Sequence, residues 1–161
     1  MKFVYINVDQ ALEIHNKIIE ISGGVDGLNN FNGLISPIEF IKEDFYYPTF
    51  ELKLTHLVYT IIKNHSFNDG NKRSAIGIGA MFLELNGLST LIPKFIIELE
   101  NIVVYVAANF ISKDLLYEII NSILNYEYHS EGLKLAIYNA LIYNEQCDFE
   151  NKGPNFYINL F

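Results

Sequence analysis

Apolar residues at Phe50, Leu54, Leu57, Val58, Ile61 and Ile62 repeat at the three-and-four spacing of one buried helix face. That period recurs along the chain, and no strict alternation runs long enough to build a central sheet, so the chain reads as all-α. Turn and cap residues set the ends of the helices. Asn7 and Gln10 have the spacing of a capping box before an amphipathic segment, Val8 to Ser22, that Gly23-Gly24 stops. A second helix is predicted from Asn32 to Lys42. A third follows from Phe50 to Asn64 with Thr49 as N-cap, and a fourth from Asn71 to Leu85 before Asn86-Gly87. Pro93 opens a fifth, very apolar helix through Ala108, Ser112 caps a sixth reaching Leu124, and Gly132 to Gln146 form a seventh. Gly77 and Gly79 lower helix propensity inside the fourth, so another helix or a ligand is expected to come close there.

With 161 residues, the chain fits one domain and a small appendage, and 12 Phe and 11 Tyr can fill a sizeable core. The formal charge of -8 leaves little room for a nucleic-acid surface, since that polyanion needs clustered cations and only 11 Lys and Arg are present. Glu98, Glu100 and Asn101 interrupt the fifth helix, which therefore reads as a buried central helix and not as a membrane span. The segment before Val8 is too short for a signal-peptide core, and Cys147 alone cannot form an internal disulfide. A cytoplasmic protein without nucleic-acid or membrane partners is expected.

The chemistry concentrates at His65-Ser66-Phe67-Asn68-Asp69-Gly70-Asn71-Lys72-Arg73. Asp69-Gly70 reads as a tight turn opening the fourth helix, so the N–H groups of Gly70 to Arg73 should face outward at a positive helix end that favours an anion. Lys72 adds a mobile charge, and Arg73 a fork able to grip two phosphate oxygens. Asp69 is the candidate ligand for Mg²⁺, which binds through one or two carboxylates plus substrate phosphates. His65 continues the apolar stripe of the third helix, on its core-facing side, where it is placed to act as a general base. Other site types fit poorly. A calcium loop would put Ile76 where a Glu is needed, no Walker glycine spacing occurs, and the four histidines lack zinc-ligand spacing.

This stretch resembles the signature of the Fic/Doc family, H-x-F-x-[DE]-[GA]-N-[GK]-R. The likeness extends to Tyr5-Ile6-Asn7, to the turn from Gly23-Gly24 to Leu28, and to Asn32-Gly33-Leu34-Ile35, which look like the death-on-curing branch. It covers about residues 3 to 125. The resemblance implies a helical Fic/Doc-type domain of about six helices over 1–128, with 129–161 as a C-terminal helical extension packed on it. It also implies a toxin-like transferase that uses ATP or another nucleoside triphosphate, with Mg²⁺, to modify a Ser, Thr or Tyr hydroxyl of a target protein such as a translation factor. His65 would take the hydroxyl proton and Asp69 would hold the metal. Gly70 and Asn71 would shape the anion hole, Arg73 would steady the phosphates, and Phe67 would anchor the loop from the core. Ser66 replaces a frequent Pro, which would leave the loop less rigid.

Lys72 is similar to the Doc choice, where other members carry Gly, and a bulky cation in that place favours a nucleotide turned to present its γ-phosphate. Phosphorylation is therefore the favoured reaction. AMP transfer is the alternative, supported by the Fic-like Gly70, and an inactive helical interaction module is the third reading. The resemblance further implies a target-binding flap at Phe45, Tyr46 and Tyr47, in a stretch that Pro48 makes extended. The family's cis-inhibitory pattern is missing; Ser22 with Asp26-Gly27 comes nearest to it. An antitoxin partner docking near Arg73 would supply inhibition in trans. The apolar residues of Leu133 to Tyr143 and of the tail Asn155 to Phe161 are expected to pack back on the domain.

Overall fold

The structure, a computed structural model, describes residues 2–125 and 128–152, with the backbone alone over 143–152. The tail Asn155 to Phe161 and the side chain of Cys147 lie outside the described residues. Seven α-helices make up the described architecture: α1 Val8–Ser22, α2 Phe31–Phe40, α3 Phe50–Asn64, α4 Asn71–Leu85, α5 Ile92–Ala107, α6 Lys113–Leu124 and α7 Glu131–Lys152. A 3₁₀ turn, Ser89–Leu91, leads into α5, and the one extended pairing among the described residues is a single antiparallel bridge between Leu28 and Phe67.

The caps explain the boundaries. Asn7 accepts from the Gln10 N–H while Gln10 returns a bond to the Asn7 N–H, closing the capping box of α1. Thr49 and Ser112 cap α3 and α6 in the same manner, each accepting from an N–H three residues on. Helix α2 begins at Phe31 because Asn30 is its N-cap, accepting from the Gly33 N–H at 2.9 Å, and it ends at Phe40. α7 runs six residues beyond the predicted end at Gln146, to Lys152.

Helix α3 is the central element, packing on α2, α4, α5 and α6, with Leu54, Leu57, Val58, Ile61 and Ile62 fully buried. That displaces α5 from the centre. α5 buries Phe95, Leu99, Val103 and Val106 but leaves Ile97 70% and Val104 48% exposed, so it forms a wall of the domain. The Phe82 ring stacks on Phe50 at 4.7 Å and on Tyr5 at 6.0 Å, tying α4 to α3 and to the N-terminal segment. The two α4 glycines serve helix approach. A β-carbon at Gly77 would meet Ile14 of α1 at 2.8 Å, and one at Gly79 would meet the Phe95 ring of α5 at 2.8 Å.

Helices α2 and α3 form a hairpin whose open end lies at the signature and whose turn lies at the other end. Lys53, fully buried, fixes that turn by donating to the Ile41 carbonyl and to the Asp44 carboxylate, each at 2.7 Å. The segment is not extended: the N–H groups of Tyr46 and Tyr47 both donate to the Glu43 carbonyl. Tyr47 docks on His56, about 14 Å of helix rise before His65. Phe45, Tyr46 and Tyr47 therefore sit at the far end of the hairpin from the signature, which removes them as a flap beside it. Tyr47 packs inward, while Phe45 is 88% exposed.

His56 Nδ1 lies 2.8 Å from Tyr47 Oη, 2.9 Å from Lys113 Nζ and 3.4 Å from Thr60 Oγ1; Lys113 can only donate, so the single lone pair of a neutral Nδ1 faces that cation. Burial, and then the Lys113 charge, push its pKa down to about 4. The unfolded chain binds this proton near pH 6.5 and the folded chain only near 4, so stability is full above 6.5 and falls as pH drops through that window. The expected loss is on the order of 3 kcal/mol by pH 4. Thermal unfolding across pH 4–7 should show this slope in the native chain and a flatter one in His56→Gln; identical slopes would exclude the assignment.

Beyond α6, His129 accepts or donates at Ser122 Oγ (2.9 Å) and lies 3.5 Å from Glu98, and Ser130 caps α7 by accepting from the Leu133 N–H. Leu133 and Ile137 pack against the core, whereas Leu135 and Tyr138 face solvent.

Candidate active site

α3 ends at Asn64 because His65 adopts the left-handed conformation, φ 46 and ψ 50, and the chain turns there into the signature loop. The turn carries His65 off the apolar stripe. Its side chain is exposed, not core-facing as the helical spacing predicts, because the stripe ends where helical φ and ψ end. An exposed imidazole at a loop mouth is open to an incoming hydroxyl. Ser66 and Phe67 instead point inward, at 0% and 1% exposure.

Three sets of bonds hold the loop. Asn71 clamps Phe67, its Oδ1 accepting from the Phe67 N–H at 2.9 Å and its Nδ2 donating to the Phe67 carbonyl at 2.8 Å. The Ser66 carbonyl accepts from the N–H groups of both Asn29 and Asn30, at 2.8 and 2.9 Å, so the residue that replaces Pro is held through its backbone. Asn68 pairs with the turn between α1 and α2, donating its N–H to the Gly27 carbonyl and its side-chain amide to the Asp26 carbonyl.

Gly70 is the N-cap of α4, in the left-handed region at φ 72, and supplies no side-chain cap. The first-turn N–H groups of α4 therefore remain directed outward, a ready anion site. Lys72 is exposed beside it. The Asp69 carboxylate, 46% exposed, accepts from the N–H groups of Gly70 and Val25. These two bonds, then the charges of Arg73 and Lys72, hold its pKa below the ordinary carboxylate value, so it is an anion at neutral pH. Among the described residues no group of three or more His, Cys, Asp or Glu could hold a metal. One ionised, half-exposed carboxylate beside an anion site fits Mg²⁺ that shares its coordination with substrate phosphates, and does not fit a full protein cage.

Arg73 is partly in use. Its Nη1 donates to the Gly23 carbonyl at 2.9 Å and to Ser22 Oγ, at the negative end of α1, while Nη2 lies 3.8 Å from Asp69. The fork predicted to grip two phosphate oxygens therefore keeps Nη2 and Nε for that purpose. Arg73 also borders a groove of about 380 Å³ between α1, α4 and α5, with Ile18, Ile21, Ile76 and Ile96 on its walls.

The fold thus brings together His65, Asp69, Gly70, Asn71, Lys72 and Arg73, and leaves out Phe45, Tyr46 and Tyr47. Residue types alone missed the supporting turn. Gly24 has no room for a side chain, since a β-carbon there would come within 2.6 Å of Asp69 Oδ2, and Val25 supplies an N–H to that same oxygen. They also missed His15, whose place four residues after Ala11 on the inner face of α1 marks a buried polar residue.

Comparison with known proteins agrees with this geometry. The Fic/DOC family model matches residues 5–83, from the N-terminal segment through most of α4. The protein kinase doc of Escherichia phage P1 is 30% identical over 88 residues, which cover 52% of this chain and 69% of that protein. With its helical fold and its signature at the α3–α4 junction, the chain belongs to the Fic/DOC family, in the death-on-curing branch.

Proposed function

We propose that this protein is a toxin-like transferase that moves the γ-phosphate of ATP, or of another nucleoside triphosphate, onto a Ser, Thr or Tyr hydroxyl of a target protein. The observation that carries the reading is the uncapped α4 N-terminus with Asp69, Lys72 and Arg73 around it and the exposed His65 at the loop mouth. Likeness to a protein named as a kinase, together with Lys72, favours phosphate over AMP transfer.

Phosphoryl transfer depends on in-line positioning and charge stabilisation more than on covalent help from the protein. The α4 N–H groups and Lys72 hold the phosphate chain, and Arg73 neutralises charge from the α1 side. His65 accepts the hydroxyl proton as the target oxygen attacks phosphorus and the nucleoside diphosphate leaves. Asp69 would hold Mg²⁺, which when bound supplies charge neutralisation across the phosphates.

AMP transfer is kept as a second reading because Gly70, buried and at positive φ, is the Fic-like choice at that position. One experiment separates them. A bacterial lysate with this protein and Mg²⁺ receives ATP labelled at the α-phosphate or at the γ-phosphate. Label on protein from γ only is expected; label from α only would replace the phosphorylation reading with AMP transfer. An antitoxin-type partner would cover the groove beside Arg73, so adding the product of an adjacent reading frame should suppress the label, and unchanged labelling would count against that partner.

A further inference from the structure

His15 lies on α1, outside the signature, yet it touches the signature at two points and the residue that follows it at a third. Its ring lies flat on Phe67, with centroids 3.8 Å apart and planes 6° from parallel. Its Nδ1 is 2.9 Å from Ser74 Oγ on α4. Its Cε1 stands beneath Gly70, where a β-carbon would come within 3.6 Å. The residue is 1% exposed, and its Nε2 has no hydrogen-bond partner. The Asp26 carboxylate, whose Oδ1 lies 3.9 Å from Nε2, favours the tautomer with the ring proton on Nε2, and the Ser74 hydroxyl then donates to Nδ1. The charged groups around the ring are Asp26 from the turn and Asp69 and Arg73 from the signature. Burial, outweighing the two carboxylates, lowers the pKa and keeps the ring neutral at pH 7.

A packing role alone does not account for an imidazole here. Phe or Leu would fill the space without burying an unpaired N–H, which costs roughly 1–3 kcal/mol. The unpaired nitrogen faces a carboxylate that is 72% exposed, on a turn with glycines at positive φ at Gly23, Gly24 and Gly27. That same turn delivers the Val25 N–H to Asp69 and the Gly23 carbonyl to Arg73.

We propose that His15 is a positioning residue for group transfer: its ring, fixed by the Ser74 bond, sets the height of Phe67 and Gly70, and its Nε2–H, too far from Asp26 for a hydrogen bond, draws in the α1–α2 turn that orients Asp69 and Arg73 by attraction to that carboxylate. It acts through those residues and touches no substrate. The proposal rests on the reading of the signature as a phosphate-handling site.

The test uses the full chain with His15→Phe, Asp26→Asn and the double variant. His15→Phe keeps the stack on Phe67 and removes the Ser74 bond and the attraction to Asp26; Asp26→Asn removes only an exposed charge. In label transfer, His15→Phe should lower kcat/KM about five- to tenfold, the scale of one lost hydrogen bond, with the thermal midpoint little changed. Asp26→Asn should lose about threefold, and the double variant should be no worse than His15→Phe, as for residues acting in one chain of contacts. A folded His15→Phe with kcat/KM within twofold of the native chain would overturn the proposal, as would losses that add in full. Should His15→Phe fail to fold, unchanged kcat/KM in Asp26→Asn would overturn it alone. Amide hydrogen exchange reads the same point without activity: the Phe67 and Asn68 N–H groups should exchange at least about fivefold faster in Asp26→Asn and in any folded His15→Phe. Unchanged exchange overturns the positioning role, whereas absence of any label transfer by the native chain overturns only the proposed function.

Discussion

Asp69→Asn is expected to reduce transfer at least about a hundredfold while leaving the fold in place, and His65→Ala to do the same. Asp69 is half exposed, and an Asn oxygen can still accept one of the two N–H groups that Gly70 and Val25 direct at it. What disappears is the charge. With it goes the group fitted to a divalent cation and one neighbour of Arg73. His65 is exposed at the end of α3, so its truncation opens no cavity. Label transfer and thermal unfolding on the same samples check both variants. More than about a tenth of native transfer in Asp69→Asn would take that residue out of the role given to it, and a lowered thermal midpoint would show that the loss came from the fold.

Phe67→Ala is expected to be the most damaging single change to stability within the signature, about 3–5 kcal/mol, the range for truncating a buried aromatic ring. The ring is 1% exposed and stacks on His15, while the Phe67 backbone carries the bridge to Leu28 and both bonds from Asn71. Removing it leaves a cavity under the loop and unsupported polar atoms around it. Against a total stability of about 5–15 kcal/mol, that is enough to populate open forms of the site, so activity should fall with stability. Denaturant unfolding measures the loss. A change below about 1 kcal/mol would mean that the loop is held by its backbone bonds and not by the ring.

The helices were legible because their ends are written in short-range chemistry. The Asn7–Gln10 box, Thr49, Ser112, Gly23 and Asn86-Gly87 each act within a few residues of the boundary they set. The signature was legible for the same reason, its reactive residues being contiguous in sequence. What the sequence hid was long-range or conformational. The helical period carried His65 onto the inner face, and one left-handed residue took it off. The aromatics at Phe45 to Tyr47 lie close before α3 in the chain but at the wrong end of it in space, since α3 is about 21 Å long. The part played by Val25, Gly24 and Ser22 in holding Asp69 and Arg73 depends on α1 ending beside α4, a contact between residues about fifty apart that no local pattern records.

The left-handed backbone at His65 also bears on how such a chain changes over generations. A β-carbon in that region costs about 1–2 kcal/mol relative to a comfortable conformation, and glycine or asparagine would sit there with less strain. Selection for foldedness alone would therefore tend to replace this histidine. Its retention would have to be maintained by what the imidazole does, and inactive descendants of the domain should drift first at this position, becoming more stable as they lose their chemistry.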